Sequence, residues 1–461
     1  MRYMVYKFDF KPNNIISFAL DFMCLQASKL WNEANHQRIE YEKLGLESMP
    51  NWFDQKKSFK DNEHFKMLMA QSSQDLLKDL DLAWKSYFEL SKRNEKANPP
   101  SYKNYGQHTS IKYAHHSFKI LDNNVIRFSL PHKIKEILFN KYFVKLDYFY
   151  VKLKRKINGA KYISISHIKP GTFRVCISYE CKENKYKEDN GRNIGIDLGV
   201  TNLFTVYDNN GSSFIINGSS FKNTIYYFSK KIAHYQKILK ASYLHSNPKK
   251  AYISKRISNL YRTKMGRINY LLHASTKKIA DYCLKNNVTV VAVGNMKGIK
   301  NNCSFGHVTK QQFYSVAFAR ILKLLQYKLD NIGVRLVRID EAYSSQCPPN
   351  SLGVSSVYGL KNRRKKRGLY KYKKKIYNSD SLGAFNILRI YYQNNHKSVC
   401  SMDYRSISNP KNICIPVTMD FFDYFPCLDM KRMVGVAGRE YPSGEELIAF
   451  IQRSIGFSAE A

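Results

Sequence analysis

The sequence predicts a multidomain α+β protein with a mixed first module and an α/β second module. Long helical patterns and short strand-like segments alternate over the first part of the chain, and the pattern changes at Asn193 to hairpin strands, long helices and buried strands. The 461 residues suffice for two or three domains with cores of their own. We expect the first module at residues 1–185, the second at 186–395, and a C-terminal tail of unknown role at 396–461.

The first module opens with a strand, because residues 1–15 alternate apolar and basic side chains. Apolar residues then recur at helical spacing over residues 14–41 and again over 71–88. Shorter strand-like segments fill residues 117–182. These elements together predict a module of strands into which helices are inserted.

The second module opens with an acid on an apolar strand. Residues 194–202 (IGIDLGVTN) form a short apolar run that carries Asp197, and the turn Asp208-Asn209-Asn210-Gly211 leads to a returning strand at 212–217. Burying a carboxylate is costly unless it is paired or binds a metal. Asp197 is therefore either a metal ligand or a strand-end residue that bonds nearby amides.

The elements that follow complete a recognisable order. They are a long basic helical region at about 223–286, interrupted near Asn247-Pro248; a buried strand at 288–293; a helix at about 310–331; a strand at 333–339; a basic loop at about 347–377; and a helix from Asp380. The order β-β-β-α-β-α-β-loop-α is that of a ribonuclease H-like domain with a helical insertion. In such nucleases, carboxylates on the first strand, the fourth strand and the last helix bind a metal pair roughly 4 Å apart.

Two of these carboxylates have clear candidates, and the third does not. Asp197 lies on the first strand, and Asp380 lies at the start of the last helix, where it could instead cap the helix. The fourth strand ends in Gly294, without an acid. Read strictly, this departure predicts an inactive enzyme.

An acid on the neighbouring strand could replace the missing one. The next strand ends in Asp340-Glu341, and neighbouring strands lie about 4.8 Å apart, within reach of a Glu side chain. Alternation places Glu341 on one face with Ile339, and Asp340 on the other with Arg338. Parity alone does not choose between the two acids.

The composition points to a polyanionic partner. Lys and Arg number 75 against 36 Asp and Glu, a formal net charge of +39. A basic membrane-surface protein is the alternative, but no apolar run of 18 residues or lipid signal accompanies the charge. Nine Cys without a framework pattern fit free thiols in a reducing cytosol, and the N-terminus lacks a secretory apolar segment.

Three segments resemble the TnpB family of transposon-encoded RNA-guided nucleases, which are related to type V CRISPR effectors. Residues 195–203 (GIDLGVTNL) resemble the first motif of its RuvC nuclease domain, residues 340–347 (DEAYSSQC) its E-x-Y-T-S-x-C stretch, and residues 380–387 its third motif. The resemblance covers roughly residues 1–395. It implies an N-terminal β-barrel-like wedge module with an inserted helical recognition module, followed by a RuvC (RNase H-like) domain.

One subgroup of this family is more similar still. Its second motif lacks Glu, as residues 293–298 do here, and it carries a Glu before the Tyr-Thr-Ser stretch, at the position of Glu341. The resemblance therefore implies a rearranged active site of Asp197, Glu341 and Asp380, with two Mg²⁺ ions and Mn²⁺ as a substitute. Many relatives carry a zinc ribbon between the second and third acids. Here Cys347 is followed by no other Cys before Cys400, so we expect no structural zinc there.

Basic residues are the candidate nucleic-acid contacts, with surface solvation as the alternative for any single one. In the helical insertion they are Lys230, Lys231, Lys255, Arg256, Arg262, Lys264 and Arg267, and in the loop that replaces the zinc ribbon they are Arg363, Arg364, Lys365, Lys366 and Arg367. The loop run could instead be a solvated loop or a localisation signal.

The resemblance implies an RNA-guided DNA endonuclease that works with an omega-type guide RNA on double-stranded DNA beside a short flanking motif. We expect such a protein in the cytoplasm of a prokaryote, associated with the nucleoid. The absent acid at Gly294 keeps a nuclease-inactive, RNA-guided transcriptional repressor as the alternative. A DNA-strand transferase is a weaker third possibility, because no catalytic Tyr or His pair stands out.

Overall fold

The protein is described from a computed structural model at residues 2–93, 97–181, 184–242, 254–295, 318–360, 368–396 and 402–415. The chain divides into two compact units, Met1–Glu183 and Asn184–Ala461. Both contain helices and sheets, as the predicted α+β class requires. Within the described residues, no helix combines the length and apolarity needed to cross a membrane.

Two antiparallel sheets form the β-structure of the first unit. The larger has the order β1-β7-β6-β2 and the smaller the order β3-β4-β5. In chain order the strands are β1 (Arg2–Phe10), β2 (Ile111–Ala114), β3 (Phe118–Ile120), β4 (Val125–Ser129), β5 (Tyr148–Lys152), β6 (Ala160–Lys169) and β7 (Thr172–Cys181). The predicted opening strand is therefore present, and it pairs with the last strand of the unit.

Helices lie between the first and second strands of this unit. They are α1 (Asn14–Ile39), α2 (Trp52–Ser58), α3 (Glu63–Lys66) and α4 (Ala70–Lys92), with α5 (His132–Tyr142) following β4. The side chain of Asn13 caps α1 by accepting a hydrogen bond from the Ile16 amide at 2.9 Å. The buried pair Arg38–Asp81, 3.0 Å apart, joins α1 to α4.

The second unit is built on a six-stranded sheet with the order β12-β11-β8-β9-β10-β15. Its strands are β8 (Asn193–Leu198), β9 (Asn202–Asp208), β10 (Ser213–Asn217), β11 (Val290–Gly294), β12 (Arg335–Ile339) and β15 (Lys411–Ile413). β8 is central, antiparallel to β9 and parallel to β11, and β11 is parallel to β12. The predicted adjacency of the fourth and fifth strands is therefore observed.

Helices cover both faces of this sheet. One face is covered by three helices, α6 (Ser219–Ser242), α7 (Lys255–Lys285) and α8 (Phe318–Asp330). They share a core with Ile194 and Ile196 of β8 and with Val291 and Val293 of β11. α9 (Ser379–Asn394) covers the opposite face, where it packs on Ala292 and Ile339. Because the central strands are covered on both sides, they read as continuous apolar runs.

Two parts of the second unit differ from a simple reading of the sequence. The predicted basic loop contains an antiparallel hairpin, β13 (Leu369–Tyr372) and β14 (Lys375–Asn378), directly before α9. Residues 402–415, within the predicted tail, add strand β15 parallel to β10 and bury Ile407 beneath α9. This part of the tail therefore completes the sheet and its core.

Candidate active site

Asp197 lies near the end of the central strand, on the face that α9 covers. Alternation along β8 groups it with Gly195 and opposes it to Ile196, which is fully buried in the other core. The carboxylate lies against α9 at Gly383: a Cβ added there would lie 2.9 Å from Asp197 Oδ2. The missing side chain at Gly383 therefore leaves room for this acid.

Gly195 explains how α9 approaches so closely. A Cβ at this position would overlap the carbonyl oxygen of Ala384 and would lie 2.9 Å from the Cβ of Leu388. The helix backbone therefore lies almost directly on β8. This contact brings the start of α9, with Asp380, to the strand end that carries Asp197.

Glu341 lies over the end of the strand that lacks an acid. A Cβ added to Gly294 would overlap Oε2 of Glu341 and would lie 3.1 Å from its carboxyl carbon. Gly294 follows Val293, which pairs with Ile196 of β8, so it is adjacent to Asp197 in the sheet. The carboxylate of Glu341 thus occupies the space that a side chain from position 294 would enter.

The structure also distinguishes Asp340 from Glu341, which the alternation of side chains along the strand could not do. Asp340 is exposed, like Arg338, whereas Glu341 is half-buried and follows buried Ile339 on the α9 side. Burial, together with the negative charge of Asp340, raises the pKa of Glu341 above its ordinary value. Among the described residues, no side chain donates a hydrogen bond to this carboxylate. A cation beside it would relieve the cost of its ionisation.

Asp380 lies in the first turn of α9 but does not cap the helix. The cap is Asn378, whose side-chain oxygen accepts hydrogen bonds from the amides of Asp380 at 3.1 Å and Ser381 at 3.0 Å. The Asp380 carboxylate instead accepts hydrogen bonds from Asn202 Nδ2 at 2.8 Å and Ser379 Oγ at 3.3 Å. The capping alternative for Asp380 is therefore excluded.

Asn202 is a contact that sequence reasoning did not assign. It begins β9, directly after the turn that follows Asp197, and its amide orients the carboxylate of Asp380. The signal was present, since Asn202 belongs to the motif at 195–203, but only the fold brings it to α9.

The three acids are neighbours without forming a single tight ligand cluster. Of the described residues, the one group with three ligand atoms all within 4.8 Å of one another lies in the first unit, and it does not include these acids.

Buried polar contacts hold the segment that follows Glu341. Asn386 of α9 donates hydrogen bonds to the carbonyls of Ser344 at 2.7 Å and Cys347 at 2.8 Å. Arg389, one turn later and fully buried, donates to the carbonyl of Pro348 at 3.2 Å and also bonds Ser351. The helix that carries Asp380 therefore fixes the loop next to Glu341 as well.

The basic residues of the helical insertion occupy two kinds of environment. Lys230, Lys231, Lys255, Arg256 and Arg262 are exposed. In contrast, Lys264 and Arg267 are half-buried. Lys264 donates a hydrogen bond to Ser229 of α6 at 2.9 Å and burial lowers its pKa, while the guanidinium of Arg267 lies 5.1 Å from the ring centre of Phe228. The predicted basic run from Arg363 to Arg367 lies outside the described residues.

Comparison with known families adds to this geometry. Residues 176–300 match the OrfB_IS605 family, described as a probable transposase. The resemblance to TnpB is confirmed. The match contains Asp197 and Gly294 and ends before Glu341, so membership of the subgroup with the moved glutamate stays a prediction. No curated protein is significantly similar to this chain.

A solved structure supports the fold. A Cas12f1 in complex with sgRNA and target DNA has a TM-score of 0.51 at 16% identity, and the alignment covers 81% of this chain and 82% of that one. A CRISPR-Cas12f ternary complex gives 0.35 at 16% identity, with 82% of each chain covered. The mini-RNA-guided endonuclease CRISPR-Cas_phi3 gives 0.40 at 10% identity, covering 84% and 92%. We base the similarity of fold on the first of these three.

Proposed function

We propose that this protein is a transposon-derived, RNA-guided DNA endonuclease that cuts target DNA by two-metal-ion phosphodiester hydrolysis. The match to a transposase family and the fold similarity to a Cas12f1 bound to guide RNA and target DNA support this proposal. The net charge of +39 suits a protein that must hold two kinds of nucleic acid.

The observation that carries the proposal is the placement of Glu341 over Gly294, beside Asp197. A side chain in the space of the missing acid restores the set of three carboxylates that hydrolysis by this fold requires. The donors are all carboxylate oxygens, which suit Mg²⁺ and Mn²⁺. The raised pKa of Glu341 fits a carboxyl group that becomes favourably ionised beside a cation.

In this proposal Asp197, Glu341 and Asp380 would hold the two ions, with Asp197 as the ligand common to both. When bound, the metal pair activates a water and stabilises the leaving oxygen. Asn202 holds the Asp380 carboxylate in place, and Asn386 fixes the loop that follows Glu341. Gly195 and Gly383 allow α9 to lie close enough for the acids to share one site.

We assign the remaining parts to nucleic-acid recognition. The first unit would act as the wedge and recognition module for the guide RNA, the target and its flanking motif. The exposed cations of α6 and α7 would contact phosphates of an omega-type RNA and of the guide–target heteroduplex. Such contacts depend on salt and carry no base specificity.

Reconstitution with guide RNA, Mg²⁺ and matched double-stranded DNA tests the proposal. We expect cleavage by the parent chain, and retained target binding without cleavage by Asp197→Ala and Asp380→Ala. If the parent binds target DNA through its guide but never cuts it with Mg²⁺ or Mn²⁺, the protein is an RNA-guided DNA-binding repressor instead. If it binds no guide RNA, both functions fail.

A further inference from the structure

A second group of potential metal ligands lies in the first unit, on three separate elements. Asp21 belongs to α1, His108 precedes β2, and His167 belongs to β6. Their nearest ligand atoms all lie within 4.8 Å of one another. Nε2 of His108 is 2.8 Å from Asp21 Oδ1, and Nε2 of His167 is 3.4 Å from the same oxygen.

The three ligand atoms lie close together, and a single ion would draw the two stacked rings apart, because each Nε2 lone pair lies in its own ring plane. The two imidazole rings stack, with centroids 3.9 Å apart and planes 23° apart, and the distances above place Nε2 of both rings on the side of Asp21. Nε2 of His108 is buried and, despite the 2.8 Å distance, is not directed at the carboxylate as a hydrogen-bond donor. Ligands of a tetrahedral ion with bonds of 2.0–2.1 Å lie about 3.3 Å apart and point at the ion rather than at each other.

The fold fixes these three side chains independently of any ion. Antiparallel pairing of Ile111 with Ile165 places His108 and His167 at the same end of the β2–β6 ladder. The amide of Thr109 donates a hydrogen bond to the Cys24 carbonyl of α1 at 3.0 Å. Thr109, next to His108, is therefore bonded to Cys24, three residues after Asp21 on α1, and this bond holds the His pair beside the helix.

A hydrogen-bonded ion pair does not describe the arrangement, because Nε2 of His108 lies 2.8 Å from Asp21 Oδ1 without donating a hydrogen bond. Two neutral imidazoles with a carboxylate form instead a ligand set with one net negative charge. Imidazole nitrogens favour transition ions of the zinc class, whereas the carboxylates proposed as ligands in the second unit favour Mg²⁺ and Mn²⁺.

We propose that Asp21 Oδ1, His108 Nε2 and His167 Nε2 bind one divalent transition-metal ion of the zinc class, with solvent as the fourth ligand. The 41% exposure of the Asp21 side chain leaves the solvent position open. The ion joins α1 to the edge of the larger sheet and thereby stabilises the first unit. This site is separate from the loop after Cys347, where we expect no zinc.

Metal binding by the full-length Asp197→Ala chain tests the proposal, because that substitution removes a proposed ligand of the nuclease site. We expect one equivalent of Zn²⁺ by elemental analysis after dialysis, and one equivalent of Co²⁺ with the visible absorption of a low-symmetry nitrogen–oxygen site. His108→Gln, His167→Gln and Asp21→Asn should each weaken Zn²⁺ binding at least tenfold. The matched control replaces the exposed neighbours, His115→Gln with His116→Gln, and should bind as the parent does.

The thermal transition gives a second measurement. Chelation should lower the Tm of the parent and of the control by several degrees, and should leave the Tm of His108→Gln unchanged. If the parent chain binds no Zn²⁺ at micromolar concentration, that result alone overturns the proposal. Stoichiometric binding that survives all three substitutions overturns it too, because the ion would then lie elsewhere.

Discussion

The carboxylate of Glu341 lies in the space that a side chain on Gly294 would fill. β11 ends in Gly294 without an acid, and Glu341 follows the neighbouring strand β12. The two strand ends therefore form one site. β12 supplies, across one inter-strand spacing, the group that β11 lacks. The absence of a Cβ at position 294 is as necessary to this arrangement as the glutamate itself.

Gly294→Ala tests this dependence. The added Cβ would overlap Oε2, so the Glu341 side chain must move, and misplacing a catalytic group by about 1 Å can cost about 100-fold in rate. We expect cleavage to fall between about tenfold and 100-fold, with guide and target binding retained. Gly266→Ala is the matched control, because nothing lies within 4 Å of a Cβ there. Equal cleavage by both variants would contradict the arrangement.

Asn202→Ala tests the orientation of Asp380. The variant removes the hydrogen bond of 2.8 Å that holds the carboxylate, and loss of such outer contacts costs about 10–100-fold in metal affinity or activity. We expect a higher Mg²⁺ concentration for half-maximal cleavage, with partial rescue at saturating Mg²⁺. A lowered rate with an unchanged Mg²⁺ dependence would show that Asn202 acts by another route.

Gly195→Ala tests the close packing of α9 on β8. The added methyl group meets the carbonyl of Ala384, a helix backbone atom that cannot rotate away. Overpacking of this kind costs about 1–3 kcal/mol. We expect a lower midpoint in urea unfolding and reduced cleavage, whereas Gly266→Ala should unfold at or above the parent midpoint. An unchanged midpoint for Gly195→Ala would mean that α9 is not fixed against the strand.

Lys328 gives a test based on pH. It lies on α8, donates a hydrogen bond to Thr276 of α7 at 2.8 Å, and burial lowers its pKa to about 8. Since its pKa is depressed in the folded state, the contribution of Lys328 to stability is present above the unfolded pKa and is lost as pH falls through about 8. We therefore expect Lys328→Met to be stabilised most, relative to the parent, at pH 7, and the difference in Tm to shrink toward pH 10. A difference independent of pH would contradict the lowered pKa.

Much of the second unit follows from residue pattern. Continuous apolar runs identify strands that are covered on both faces, and helical spacing identifies α1 and α4 of the first unit. The ribonuclease H-like order also predicts the fifth strand beside the fourth, and the structure bears this out. The residue pattern could not say whether Asp340 or Glu341 belongs to the active site. Alternation places the two acids on opposite faces of the sheet, but it does not say which face α9 covers.

Other features depend on contacts between residues far apart in sequence. The cap of α9 is Asn378 rather than Asp380, and Asn202 reaches Asp380 across 178 positions. β15 has no pattern of its own, because three residues at a sheet edge carry too little periodicity to be recognised. The Asp21–His108–His167 group escaped notice for the same reason, since its members come from three elements with no shared motif.

Single-turnover cleavage by Glu341→Gln and by Asp340→Asn tests the central claim most directly. Both substitutions are isosteric and remove one negative charge from adjacent residues, but only the first removes the carboxylate that lies over Gly294. We predict that Glu341→Gln loses at least about 100-fold in rate while Asp340→Asn stays within about threefold of the parent, with target binding unchanged in both. Full activity in Glu341→Gln, or a larger loss in Asp340→Asn, would contradict the assignment of Glu341 to the active site.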